Sequence, residues 1–304
     1  MQEKRTKART ITGMLIKEMT RSDLLTAIEW AAAEGWNPGK NDIDSFYDTD
    51  RQGFLGGFLD GKMIASISAV RYGEDFGFIG FYIVIPEERG KGYGYTLWQK
   101  AMARLGQRNI GLDGVPAQVA NYQRSGFKSA YMTSRYGTPC WQPGQPGQSD
   151  EITGRSQDFA GGKIVDLDAE NIDRIIAYDE AFVPAPRPNL IKNWLRQKGS
   201  ITRILLDDGE VKGYGVIRPS RDGYKIGPLF AESEGAAEAV FQALVSKACG
   251  QAIYIDVPGP NKSGIALAAR HGMQPMFECM RMYTDHEPAL PIGKIYGSTT
   301  FELG

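Results

Sequence analysis

The chain has 304 residues, 42% of them apolar and 23% charged, with a formal net charge of −1, the composition of a globular protein with room for two domains of ordinary size. Near-neutral charge, with no Lys/Arg run beyond residues 4–9, gives no electrostatic footprint for nucleic acid or an anionic membrane, and no apolar run approaches the roughly 20 residues that span a bilayer. Three cysteines (Cys140, Cys249, Cys279) without a CxxC pair, two histidines (His271, His286) and a broken apolar stretch at residues 11–16 argue against disulfide, zinc, His-triad and signal-peptide readings, so a metal-free, cytoplasmic protein is expected.

In chain order, residues 14–18 read as a strand and 23–34 as a helix with Ser22 as its N-cap. Residues 53–59 and 63–71 read as strands joined through Asp60-Gly61, a strong hairpin signal. Residues 76–85 form an almost wholly apolar run ended by Pro86, as expected of a central strand covered on both faces. Residues 95–105 read as a helix, with Leu97, Ala101 and Leu105 on one face. A short strand at 110–112, a helix at 117–125 ended by Gly126 and a strand at 127–135 follow.

The composition then turns to Gln, Pro and Gly, and residues 141–162 read as a linker. Beyond it the same landmarks recur in the same order. Asp60-Gly61 returns as Asp208-Gly209, Asp113 as Asp256, Gly126 as Gly272 and Arg135 as Arg281, the last two nine residues apart in both halves. An ordered set of this kind predicts a duplicated domain, residues 12–140 and 163–304. The fold class expected is α/β (α+β).

The chemistry sits between the central strand and its helix, in Val84-Ile-Pro86-Glu-Glu-Arg89-Gly90-Lys91-Gly92-Tyr93-Gly94. Glycines without Cβ atoms let backbone N–H groups close on an anion, and a helix start adds partial positive charge. A diphosphate fits such a cradle, with Lys91 and the Thr96 hydroxyl as further donors. The spacing is not the Gly-x-Gly-x-x-Gly of a dinucleotide fold, and no Gly-Lys-Ser/Thr is present for a nucleoside triphosphate. The competing structural reading is a flexible turn between a strand and a helix.

Arg89-x-x-Gly92-x-Gly94 after Val84-x-Pro86 resembles the pyrophosphate-binding motif of the GNAT acetyltransferases, and Tyr122-Gln-Arg-Ser-Gly126-Phe127 resembles that family's Tyr-x-x-x-Gly-Phe element. The whole chain resembles the tandem GNAT proteins of the YitH type, through Glu34-Gly-Trp-Asn-Pro38, Leu112-Asp-Gly-Val-Pro116, Ile226-Gly-Pro-Leu-Phe230, Ile255-Asp-Val-Pro258 and Thr300-Phe-Glu-Leu-Gly304. The resemblance implies two tandem domains, each a mixed, mostly antiparallel sheet flanked by helices, with the second copy degenerate.

It further implies acetyl transfer from acetyl-CoA to an amine, with no metal. The strand would splay after Val84, backbone groups of Tyr82 and Val84 would hold the pantetheine arm, and N–H groups from Arg89 to Gly94 the diphosphate. Tyr122 stands where the family has its general acid. The Glu that often serves as base on the central strand is missing, and the family Asn seven residues before the Tyr is here Val115. Asp113 or water is left as base, with a turn-forming Asp as the plainer reading. Glu34 and Trp36 fall where such enzymes contact substrate, although Trp36 equally suits a core.

In the second half, Gly227-Pro-Leu-Phe-Ala231 replaces the cradle and Ala268 replaces Tyr122, while the family Asn survives as Asn261. One acyl-CoA per chain is therefore expected. The acceptor expected is a small-molecule amine; acylation of a protein or peptide, or a non-catalytic acyl-CoA sensor or scaffold, are the alternatives. Nothing in the sequence sets an oligomeric state, because tandem domains can satisfy each other within one chain.

Overall fold

The computed structural model describes residues 13–142 and 162–304; most of the expected linker lies outside the described residues. The first half runs β1 (Leu15–Glu18), α1 (Arg21–Ala33), α2 (Asp42–Thr49), β2 (Phe54–Leu59), β3 (Lys62–Tyr72), β4 (Phe76–Val84), α3 (Tyr93–Leu105), β5 (Asn109–Gly114), α4 (Val119–Arg124) and β6 (Lys128–Thr138). The second half runs β7 (Lys163–Asp166), α5 (Ala169–Asp179), α6 (Pro188–Leu195), β8 (Ile201–Asp207), β9 (Glu210–Pro219), β10 (Tyr224–Ala231), α7 (Glu234–Val245), β11 (Ile253–Pro258), α8 (Lys262–Arg270), β12 (Gln274–Tyr283) and β13 (Ile295–Gly297).

Local chemistry explains most of these elements. The N-cap of α1 is Thr20, not Ser22: its hydroxyl accepts from the Asp23 N–H (3.2 Å) while its own N–H donates to the Asp23 carboxylate (2.9 Å). This capping box needs the acid three residues on, which Ser22 lacks. Asp60-Gly61 and Asp208-Gly209 turn their hairpins with positive φ at both residues, the backbone that matches the twist of the flanking strands. Trp141 is buried against Phe241 and His271, so the chain leaves the packed core only after it.

The strands join in one mixed sheet, ordered β1-β2-β3-β4-β5-β12-β6-β11-β10-β9-β8-β7, with β13 on β10. All pairs are antiparallel except β4–β5 and β10–β11. The two halves have exchanged their last long strands: β12 lies between β5 and β6, and β6 lies between β12 and β11. Two buried bidentate ion pairs mark the exchange. Arg281 on β12 reaches Asp113 on β5 (2.7 and 2.7 Å), and Arg135 on β6 reaches Asp256 on β11 (2.7 and 2.9 Å). These are the duplicated Asp and Arg landmarks, each paired across the halves. On one face the helices share a core, where Phe46 of α2 stacks on Trp194 of α6 at 5.8 Å. On the other, α3 covers the first half and α7 with α8 the second.

Two outcomes follow from this polar seam. Arg281→Met strands the Asp113 carboxylate in the interior and is expected to cost about 3–5 kcal/mol in urea unfolding, most of it restored by adding Asp113→Asn. The Lys225 ammonium is buried without a hydrogen-bond partner, 3.9 Å from Asp256, and burial pushes it down from 10.5 to about 8. Between those values the unfolded chain binds more protons than the folded one, so stability rises as pH climbs from about 8 to about 10. Lys225→Met should remove that rise, worth about 3 kcal/mol in full, from the pH dependence of the unfolding free energy.

Candidate active site

β4 pairs with β5 only from Phe76 to Ile79. From Gly80 onward the two parallel strands part, so the opening begins before Val84, the point expected from the resemblance. The cause is a bulge: the β3–β4 register slips between Ser66 and Ser68, and Phe81 takes φ 48° with its carbonyl accepting from the Ser66 hydroxyl at 2.7 Å. The Ile85 N–H donates towards β3, to Ile64 at 3.0 Å. By strand alternation the N–H groups of Tyr82 and Val84 turn the other way, into the gap.

The gap is a cavity of about 610 Å³. Tyr82, Val84 and the start of α3 form one wall; Leu112, Asp113 and Tyr122 form the other. At its head Gly90 (φ 73°) and Gly92 (φ 90°) turn the chain into α3, whose N-cap Gly92 offers no side-chain bond. The N–H groups of that first turn therefore stay available for an anion. A Cβ on Gly94 would meet the Tyr82 hydroxyl at 2.8 Å and Val84 at 3.0 Å; the glycine keeps the backbone open to a ligand.

Arg89 donates from Nε to the Val84 carbonyl (2.8 Å) and pairs with Glu34 at the mouth. Lys91 pairs with Glu88 at 3.0 Å, and the Thr96 hydroxyl donates back to Gly92 at 3.3 Å. Both expected extra donors are thus engaged locally, and neither they nor Tyr93 line the cavity. Glu34 and Trp36 do line it, with the Trp36 carbonyl held by Arg135 at 2.7 Å.

The Tyr122 ring lies over Gly114 and packs on Trp98 at 5.5 Å and Phe127 at 6.4 Å. Burial pushes its phenol well above the usual tyrosine range, and Tyr82 is raised to about 12 for the same reason. Burial thus holds the Tyr122 proton more tightly than in an exposed tyrosine. Asp113 is fully buried with both oxygens on Arg281. Burial raises its carboxyl and Arg281 only partly offsets this. The Asp113 side chain is committed to the exchanged strand.

Four cavity residues come from the second half: Phe277 and Cys279 on β12, and Phe301 and Glu302 beyond β13. Sequence reading missed all four as site residues. The available signal was the segment Thr300-Phe-Glu-Leu-Gly304, apolar residues around a single carboxylate. Burial pushes the Cys279 thiol far above its ordinary value, which disfavours the thiolate.

The equivalent place in the second half is closed. β10 pairs with β11 only from Tyr224 to Ile226, and β13 then fills the gap against Leu229 and Phe230. Asn261 holds β13 there, donating to the Ile295 carbonyl at 2.9 Å. The N-terminus of α7 is capped by Ser233 and carries Glu234 in its first turn, which disfavours an anion. Among the described residues no cluster of His, Cys, Asp and Glu could hold a metal ion, and no helix is long and apolar enough to cross a membrane.

The chain matches two family models, the acetyltransferase (GNAT) family over residues 22–127 and an acetyltransferase (GNAT) domain over residues 175–297. It is 34% identical over 278 residues to holothin acyltransferase of Pseudoalteromonas sp. (strain SANK 73390), covering 91% of this chain and 90% of that one. Identity to the uncharacterized N-acetyltransferase YitH of Bacillus subtilis (strain 168) is 24%, over 67% of this chain and 68% of YitH. The crystal structure of a Pyrococcus horikoshii protein overlays with a TM-score of 0.77 across 98% of both chains at 20% identity, which establishes a common fold.

Gly80 carries the packing between this cavity and the closing segment, since a Cβ there would lie 2.0 Å from the Glu302 carbonyl oxygen. Gly80→Ala is expected to dislodge residues 298–304, read as a loss of amide-exchange protection confined to that segment and its neighbours on β4.

Proposed function

Because this chain belongs to the GNAT acetyltransferase family and is an acyltransferase of tandem type, we propose that it transfers an acetyl group from acetyl-CoA to the primary amine of a small molecule. The observation that carries the reading is one continuous path: the freed edge of β4, the glycine cradle at the head of α3, and the Tyr122 phenol, all on a single cavity.

In this reading the diphosphate sits on the N–H groups from Arg89 to Gly94, and the pantetheine arm runs along the freed edge at Tyr82 and Val84. The Val84 N–H donates to the thioester oxygen as negative charge develops there, while Arg89 keeps the Val84 carbonyl engaged. The amine attacks the thioester carbon, the C–S bond breaks, and Tyr122 protonates the departing thiolate. One acyl-CoA binds per chain, because β13 fills the second cleft. A small acceptor is supported by the apolar side chains Phe277 and Phe301 and the single carboxylate Glu302 that the second half adds to the cavity lining. The name of the holothin relative points the same way.

Tyr122→Phe tests the chemistry. Free-thiol release from acetyl-CoA with a panel of small amines is expected to fall about 10²-fold or more, with acetyl-CoA affinity within about threefold and one site per chain by titration calorimetry. Equal rates for the two proteins would remove Tyr122 from the reaction. Two equal sites would remove the single-site reading.

A further inference from the structure

Of the four carboxylates on the cavity, three are matched to a cation: Glu34 to Arg89, Glu88 to Lys91 and Asp113 to Arg281. Glu302 is the exception. Its residue is 3% exposed, and none of the ion pairs among the described residues involves it. Among the described residues, the Thr300 hydroxyl is the one hydrogen-bond donor to its carboxylate. The buried Arg135 and Lys225 cations act on Glu302 through the field alone, so its carboxylate keeps acceptor capacity that a charged hydrogen-bond donor would complete. The neighbouring lining is mostly apolar side chains, with one buried cation beside it. Phe277 and Phe301 contact each other at 6.0 Å, Arg135 lies over both rings at 5.5 and 5.2 Å, and Trp36, Phe81 and Leu112 line the same cavity.

The backbone holds this carboxylate firmly in place. Glu302 packs on Gly80, where the freed part of β4 begins, and the segment is tied down by Tyr72, whose hydroxyl donates to the Leu303 carbonyl at 2.8 Å, and by Arg187, which donates to Gly304 at 2.8 Å. β4 itself carries no acid, and among the described residues the cavity carboxylate that makes no direct ion pair reaches it from the other half.

We infer that Glu302 is the acceptor-binding residue and base of this site, receiving the ammonium of a primary amine carried on an apolar, ring-bearing body and taking its proton. The inference rests on the transferase reading above and supplies the proton acceptor missing from it. Glu302 removes one proton from R–NH3+, the freed nitrogen pair attacks the thioester carbon, and the C–S bond breaks. Tyr122 gives its proton to the thiolate and is reprotonated by the proton lost from the new amide nitrogen. Glu302 returns its own proton to solvent, so one proton is released per turnover.

The test is calorimetric titration of the coenzyme A-saturated protein with primary arylalkyl and cycloalkyl amines, each beside the alcohol of the same skeleton, in wild type, Glu302→Gln and Glu302→Asp. Wild type is expected to bind at least one amine about tenfold or more tighter than its alcohol. Glu302→Gln should lose that preference while keeping its coenzyme A affinity and melting temperature. Thiol release with that amine should fall about 10²-fold or more in Glu302→Gln and recover in part in Glu302→Asp. An amine preference retained by Glu302→Gln, or absent from wild type across the panel, overturns the inference. Rapid turnover by wild type and Glu302→Gln alike overturns it and leaves the transferase reading standing. A Glu302-dependent amine preference with no thiol release supports the subsite and removes the transferase reading.

Discussion

Two buried Arg–Asp pairs, Arg281 with Asp113 and Arg135 with Asp256, organise the molecule. Each takes both oxygens of its carboxylate, and each joins a strand of one half to a strand of the other. Pairs this deeply buried contribute little net stability, because desolvation offsets most of the attraction. What they contribute is discrimination. A one-residue slip of β12 or β6 would turn its arginine to the opposite face of the sheet and leave two charges unpaired. The register that avoids this is the one in which β12 enters between β5 and β6.

That register decides what the cavity contains. With β12 beside β5, Phe277 and Cys279 face the gap left by β4, and the chain leaving β12 returns through β13 to lay Phe301 and Glu302 over Gly80. The same return path fills the cleft of the second half, where Gly227 is overlain by Ser298 and Thr299 as Gly80 is by Glu302. Duplication produced two clefts of one design. A single segment closes one and walls the other.

The parts of the fold that were legible in the sequence are those set by neighbouring residues. The Asp-Gly hairpins, the apolar run of β4, the glycines before α3 and the pairing of Tyr122 with Gly126 all express local backbone needs or side-chain periodicity. The α1 cap was displaced by two residues because Ser22 and Thr20 are both acceptable caps, and only the acid at Asp23 decides between them. The onset of the splay was displaced because a β-bulge leaves no composition signal. Duplication was visible too, since Asp113, Arg135, Asp256 and Arg281 recur in order.

Who pairs with whom was not visible. The sequence by itself determined two related α/β halves, a glycine-rich turn before one helix, a tyrosine four residues before a helix-ending glycine, and the lack of an acid on the central strand. Tertiary structure alone decided that each arginine would reach the other half's aspartate, that Asp113 would thereby be committed, and that Glu302 would arrive on Gly80 from some 220 residues away. The physical reason is that turns, caps and helix starts are satisfied within a few residues. A buried charge or an open sheet edge can be satisfied by any complementary group in the chain, and only the packed whole selects which.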